Sequence, residues 1–125
     1  MPVVLVIDDD LSILQLFSTI LISGGFAVKL AASGRDGLDI LTRGSIDLVV
    51  LDLSMPAPDG FELLKHLRAF MPRLPIVVVS GYLEGALLQA AELLGATVAL
   101  PKGDAPKMLL PAARAALHKK PRMDQ

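Results

Sequence analysis

The sequence predicts one α/β domain: five strands alternating with five helices, forming an open parallel sheet with right-handed crossovers and helices on both faces. Three observations carry this. Short apolar runs rich in Val, Ile and Leu recur along the chain, the pattern of strands buried on both faces. The stretches between them place apolar residues at helical spacing. Several of the runs end in a charged or hydroxyl residue, at the strand ends where an open α/β sheet holds its ligand.

Val3–Ile7 is the first such run, ended by Asp8-Asp9-Asp10. Leu11, Leu14, Leu16, Phe17, Ile20 and Leu21 then mark a helix, with Asp10 or Ser12 as its cap and Gly24-Gly25 as its stop. Phe26–Ala31 reads as the second strand. Ser33-Gly34 opens a helix with Leu38, Ile40 and Leu41 on its apolar face and Gly44 at its end. Asp47–Leu51 is the third strand. Phe61, Leu63, Leu64, Leu67 and Phe70 mark the next helix, after Asp59-Gly60. Pro75–Val79 is a strongly β-branched strand followed by Ser80-Gly81-Tyr82. Leu83–Leu94 reads as a helix closed by Gly95, and Thr97–Leu100 as a weaker fifth strand. Pro101-Lys102-Gly103-Asp104 is expected to be a loop, and Met108–Leu117 the last helix, with Pro106 near its start. The basic tail from Lys119 to Arg122 is expected to be a solvated, fraying end.

The chain has 125 residues, so a single domain spanning residues 1–125 is expected, and a hydrophobic fraction of 53% suffices for its core. Twelve basic and 13 acidic residues leave a formal net charge of −1, without the basic footprint that nucleic acid or an anionic membrane selects. The absence of cysteine excludes disulfides, thiolate zinc sites and cysteine catalysis. The two histidines, His66 and His118, form no metal-ligand pattern. No signal-peptide pattern or membrane-length apolar run occurs, so a soluble cytoplasmic protein is expected.

The chain is organised around Leu48-Val49-Val50-Leu51-Asp52-Leu53-Ser54-Met55-Pro56. A buried strand there delivers Asp52 into a loop containing Ala57-Pro58-Asp59-Gly60. Alone, Asp52 also fits a turn cap, Asp10 a helix cap, Ser80 a turn residue and Lys102 an ordinary surface lysine. Together they place carboxylates, a hydroxyl and an ammonium at the same edge of the sheet. Packed carboxylates need compensation, and oxygen-only ligands with water suit Mg²⁺. Such a set is apt for phosphoryl transfer: a carboxylate attacks while cations and a hydroxyl engage the phosphoryl oxygens.

These residues closely resemble the receiver domain of bacterial two-component response regulators. The resemblance rests on Leu5-Val6-Ile7-Asp8-Asp9-Asp10, Asp52-Leu53-Ser54-Met55-Pro56 with Asp59-Gly60, Val79-Ser80-Gly81, and Lys102, and covers essentially the whole chain. It implies the flavodoxin-like strand order 2-1-3-4-5. It also implies that Asp52 accepts the phosphoryl group, that Asp9 ligates Mg²⁺ directly, and that Asp8 does so through water. The Ser54 backbone carbonyl would complete the protein's metal ligands, while Ser80 and Lys102 would engage the phosphoryl group. The implied donor is a phosphohistidine on a sensor histidine kinase or phosphotransfer protein, docking near Ser12 to Ile22. Such a domain catalyses its own phosphoryl transfer and dephosphorylation, turns over no independent substrate, and switches the binding of a downstream protein.

Three departures from the family pattern stand out. Gly103 follows Lys102 where the family usually has proline, so a trans peptide and a less firmly held lysine are expected. Ala99 stands where the family commonly has Phe or Tyr three residues before the lysine. Pro111 falls within the last helix and is expected to kink or delay it. Without the fifth-strand aromatic, the output is expected as a shift of Ser80–Glu84 and the helix after it. Tyr82 then reads either as flanking the site mouth or as a simple surface tyrosine, and Leu87, Leu88 and Ala91 are candidate partner contacts on a helix whose apolar residues are mostly core. The alternatives are a degenerate receiver acting as a phosphorylation-independent binding module, and a haloacid-dehalogenase-type phosphatase. The latter needs a second aspartate two residues after the first, where this chain has Ser54.

Overall fold

A computed structural model of the protein describes residues 1–56, 59–81 and 85–119; of Asp59 and of 85–88 it describes the backbone alone. The elements are β1 (Val3–Ile7), α1 (Leu11–Ser23), β2 (Ala27–Ala31), α2 (Gly34–Thr42), β3 (Leu48–Asp52), α3 (Asp59–Phe70), β4 (Ile76–Ser80), α4 (Gly85–Leu93), β5 (Val98–Pro101) and α5 (Ala105–His118). The strands form one parallel sheet in the order β2-β1-β3-β4-β5, as the resemblance implies.

That order dictates the layers. The chain moves from β1 to β2 in one direction and from β2 through β5 in the other, so right-handed crossovers put α1 on one face and α2–α4 on the other. Alternate residues of the central strands follow suit. Val4, Val6, Val50 and Val79 pack with Leu14, Phe17 and Leu21 of α1 and Leu109, Ala112, Ala113 and Ala116 of α5. Leu5, Ile7, Val49, Leu51 and Val78 pack with Leu41 of α2, Leu63, Leu64 and Leu67 of α3, and Ala91 of α4. The winding reverses between β1 and β3, and the crevice outside their carboxyl ends is where such sheets hold ligands.

The two edges of the sheet are built differently. At the amino end of β4 and β5, Arg68 clamps two helix ends together. Its Nε and one Nη donate to the Gly95 carbonyl at 2.9 and 2.6 Å, and its other Nη donates to the Met71 and Pro72 carbonyls at 3.2 and 2.8 Å. These carbonyls lie just past the ends of α3 and α4, and a guanidinium complements the negative ends of the helix dipoles. At the opposite edge, α3 begins hard against the loop after β3. A Cβ on Gly60 would lie 2.8 Å from the Leu53 carbonyl oxygen and 2.9 Å from its Cα. Glycine there lets α3 seat directly behind Asp52.

Several boundaries differ from the sequence expectations. Asp52 is the last residue of β3 and Ser80 the last of β4, so the backbone that carries each candidate side chain is part of the ladder. The segment Lys102–Asp104 is a single 3₁₀ turn, and α5 starts at Ala105, because Pro106 fits the first helical turn, where its missing N–H costs nothing. Within α1, Leu14, Phe17 and Leu21 are buried at i, i+3 and i+7. Leu16 lies off that stripe and is 41% exposed, while Leu11 heads the helix beside Asp10 and is 69% exposed. Lys119 is engaged, donating to the Thr97 carbonyl at 3.2 Å.

Pro111 does not delay α5, which runs unbroken from Ala105 to His118. The proline sits on the exposed face between buried Leu109 and Ala112, so the carbonyl it leaves without a donor, that of exposed Lys107, is open to water. A mid-helix proline nevertheless forgoes a hydrogen bond. Pro111→Ala is therefore expected to stabilise the protein by about 1–3 kcal/mol, read as a higher urea midpoint with unchanged m-value. A lower midpoint would show that the proline is matched to its site.

Candidate functional site

The β1–β3 register pairs Ile7 with Leu51, so the next residues, Asp8 and Asp52, leave the sheet side by side. The β4–β5 register pairs Ser80 with Pro101, so Lys102 emerges one residue beyond Ser80. Asp8 and Asp52 are each only 1% exposed, and Ser80 is fully buried. Asp9 lies at the exposed rim. One carboxylate oxygen each from Asp8, Asp9 and Asp52 falls within 4.8 Å of the others.

Each buried carboxylate divides its oxygens between a backbone donor and the lysine. Asp52 Oδ1 accepts the Ser54 N–H at 2.8 Å, and Asp8 Oδ1 accepts the Asp10 N–H at 2.9 Å. The Lys102 ammonium lies 2.9 Å from Asp8 Oδ2 and 3.1 Å from Asp52 Oδ2. With Asp52 the contact is a hydrogen bond. With Asp8 it is a close ion pair without hydrogen-bond alignment, and among the described residues this shielded oxygen has no other polar partner. Gly103 does not leave the lysine loose, because two carboxylates and the 3₁₀ turn hold it.

Burial raises the Asp8 carboxyl above its ordinary 3.8, against the lowering pull of Lys102 and the Asp10 N–H, and the charge of Asp52 adds to the rise. For Lys102, burial pulls downward but is outweighed by the close contact with the Asp8 carboxylate and the charge of Asp52, so its ammonium is raised above 10.5. The lysine is thus a fixed cation at neutral pH.

Asp10 stands apart from this cluster. Its Oδ1 accepts the N–H groups of Ser12 and Ile13 at 2.8 and 3.4 Å, making it the helix cap of α1. Ser54 carries more than the sequence indicated, where only its backbone carbonyl had a role. Its Oγ accepts the Gly81 N–H at 2.7 Å and lies 3.5 Å from Ser80 Oγ. A polar residue two positions beyond Asp52 was the one available signal. Ala99 is part-buried against the α2–α4 face, and Ala91 is fully buried, so Ala91 is core and not a partner contact. Tyr82 to Glu84 lie outside the described residues, as do the side chains of Leu87 and Leu88. Among the described residues no helix is long and apolar enough to cross a membrane.

The family model for the response regulator receiver domain matches residues 4–114. Response regulator MprA of Mycolicibacterium vanbaalenii is 38% identical over 120 residues, covering 95% of this chain and 52% of MprA. Sporulation initiation phosphotransferase F of Bacillus subtilis is 32% identical over 93 residues, covering 74% of this chain and 75% of that protein. The chain spans about half of MprA, and a match to the Escherichia coli transcriptional regulatory protein GlrR covers only 18% of GlrR. A crystal structure of a receiver domain protein from Clostridium thermocellum superposes with a TM-score of 0.86 at 30% identity, covering 94% of each chain. Sequence match and strand order agree, and the chain belongs to the family of response regulator receiver domains.

Proposed function

We propose that this receiver accepts a phosphoryl group on Asp52 from a phosphohistidine of a sensor kinase or phosphotransfer protein, and that the phosphorylated form binds a downstream protein differently. The observation that carries the reading is the placement of Asp52: a buried carboxylate ending the central strand, with a lysine on one oxygen and two further carboxylates beside it. The transfer breaks the N–P bond of the donor and forms an O–P bond to the Asp52 carboxylate. The imidazole leaves with the bonding pair and takes up a proton. Lys102 holds positive charge where the phosphoryl oxygens gather, and Ser80 offers a hydroxyl at the end of the neighbouring strand.

The donor set fits a hard divalent cation. Asp8, Asp9 and Asp52 offer only oxygen, and Asp8 Oδ2 is a shielded acceptor with no aligned hydrogen bond. Asp9 would ligate Mg²⁺ directly and Asp8 through water, with the Ser54 carbonyl as a further ligand. When bound, such a cation supplies charge that neutralises phosphoryl oxygens during transfer. The exposed side chains of Leu11 and Leu16 give the amino-terminal half of α1 apolar surface for the donor protein.

Incubation with a small acyl-phosphate donor and Mg²⁺ is expected to add one phosphoryl group by intact mass, and Asp52→Asn to remove the adduct. An adduct of equal yield on Asp52→Asn would place the acceptor elsewhere.

In a calorimetric Mg²⁺ titration, Asp8→Asn is expected to weaken binding about 10- to 100-fold, the usual cost of a lost outer-shell partner, and Asp9→Asn to weaken it more. Wild-type affinity in Asp9→Asn would show that the acidic cluster binds in a different register.

The raised Asp8 pKa has a definite sign. Between 3.8 and its folded value, the folded metal-free protein retains a proton that the unfolded chain has lost. The stabilisation from that proton is therefore lost as pH rises through the window. By ¹³C NMR of the carboxyl, the Asp8 midpoint is expected above 3.8 and higher still in Lys102→Ala, where the lowering influence of the lysine is gone. A midpoint that falls in Lys102→Ala would contradict the ion pair.

A further inference from the structure

We propose that the Ser54 hydroxyl is a resting-state latch: by engaging the Gly81 N–H it holds the end of β4 back from Asp52, and this bond must break when the site is phosphorylated. The inference rests on the reading of Asp52 as the phosphoryl acceptor. It concerns the Ser54 side chain, which is separate from the metal-ligand role assigned to its backbone carbonyl.

A continuous set of contacts links the two loops. The Ser54 N–H donates to Asp52 Oδ1 at 2.8 Å, Ser54 Oγ accepts the Gly81 N–H at 2.7 Å, and the same Oγ lies 3.5 Å from Ser80 Oγ. Ser80 and Gly81 follow directly on the β4 residue paired with Asp52, Val79. The Ser80 hydroxyl and the Gly81 N–H are therefore donors that this end of the strand can turn toward phosphoryl oxygens on Asp52. In the resting protein one of them is taken by Ser54 Oγ and the other lies against it.

A donor committed to one acceptor must give that bond up before it serves another. Ser54 Oγ and the phosphoryl oxygens thus compete for the Gly81 N–H. A group that satisfies the donor only in the resting state stabilises that state, and it weakens phosphoryl engagement by the same factor. At Gly81 itself a Cβ would meet, among the described residues, only Ser54 Oγ, at 3.4 Å, so the polar bond is the close contact that holds this residue. Ser54 is a positioning residue on this account, acting through Gly81 and Ser80 and transferring nothing itself.

Ser54→Ala and Ser54→Thr separate the latch from general packing, since Thr keeps the oxygen and Ala removes it. Two quantities are read by NMR: hydrogen exchange of the Gly81 amide in the resting protein, and the apparent affinity for beryllofluoride with Mg²⁺, a phosphoryl mimic that forms on the carboxylate. Ser54→Ala is expected to speed Gly81 exchange and to bind the mimic about threefold or more tightly, the effect of removing one partly solvated hydrogen bond. Ser54→Thr is expected to restore both values toward wild type. If Ser54→Ala matches wild type in affinity or binds more weakly, the latch is overturned while Asp52 stands as acceptor. If the mimic perturbs not even the wild-type site, the reading of Asp52 fails and the latch falls with it.

Discussion

A single ammonium, that of Lys102, lies within 3.1 Å of two carboxylates that are almost wholly removed from water. Two buried negative charges at neighbouring strand ends repel one another and each loses hydration. Without a cation between them, one carboxylate would take up a proton or the strand ends would part. The lysine reaches them because β5 pairs with β4 in a register that carries residue 102 one step past Ser80. The sheet order and register are thus conditions of the charge balance. The charge of that lysine is fixed across the neutral pH range.

The compensation is deliberately incomplete in charge. One lysine faces Asp8 and Asp52, with Asp9 adding a third carboxylate at the rim. The net negative balance favours a divalent cation, and a cation in turn favours an incoming phosphoryl group. At the other end of the strands the demand is different. Arg68 spends its donors on carbonyls of Met71, Pro72 and Gly95, among the described residues it pairs with no carboxylate, and burial lowers its pKa. It fastens helix ends, and its hydrogen bonds leave little free for a ligand. The sheet therefore has one edge where an arginine fastens helix ends and one where carboxylates gather around a lysine.

Most of this was legible in the sequence because its signals are local. Runs such as Val3–Ile7 and Ile76–Val79 have few alternatives to a doubly buried strand, and Asp8, Asp52, Ser80 and Lys102 could be assigned to strand ends by counting. Strand order was not legible from alternation, which leaves several windings open; it came from the resemblance. The misread parts depend on tertiary context. Pro111 looked disruptive, but its exposed position lets water serve the Lys107 carbonyl. Leu11 and Ala91 both fit an apolar stripe, and only packing makes one surface and the other core. The Ser54 side chain gave no signal beyond its place two residues after Asp52, because its partner, the Gly81 N–H, is 27 residues away and belongs to the backbone.

That long-range hydrogen bond bears on how a receiver with Ala99 on its fifth strand can transmit a signal. Ala99 is part-buried on the α2–α4 face and has no ring to rotate, so motion at Asp52 cannot be relayed by an aromatic at that position. Along the chain, Ser80 and Gly81 lead within a few residues to Gly85, where α4 begins. A displacement of Ser80–Gly81 has to be absorbed along that path. Most of β4 cannot yield, since its residues are fully buried between two layers. Gly81 can, because it is exposed and its Cβ position is open apart from Ser54. On the proposed latch, the buried strand ends in an exposed glycine tethered by one hydroxyl, and the two states differ in which oxygen the Gly81 N–H serves.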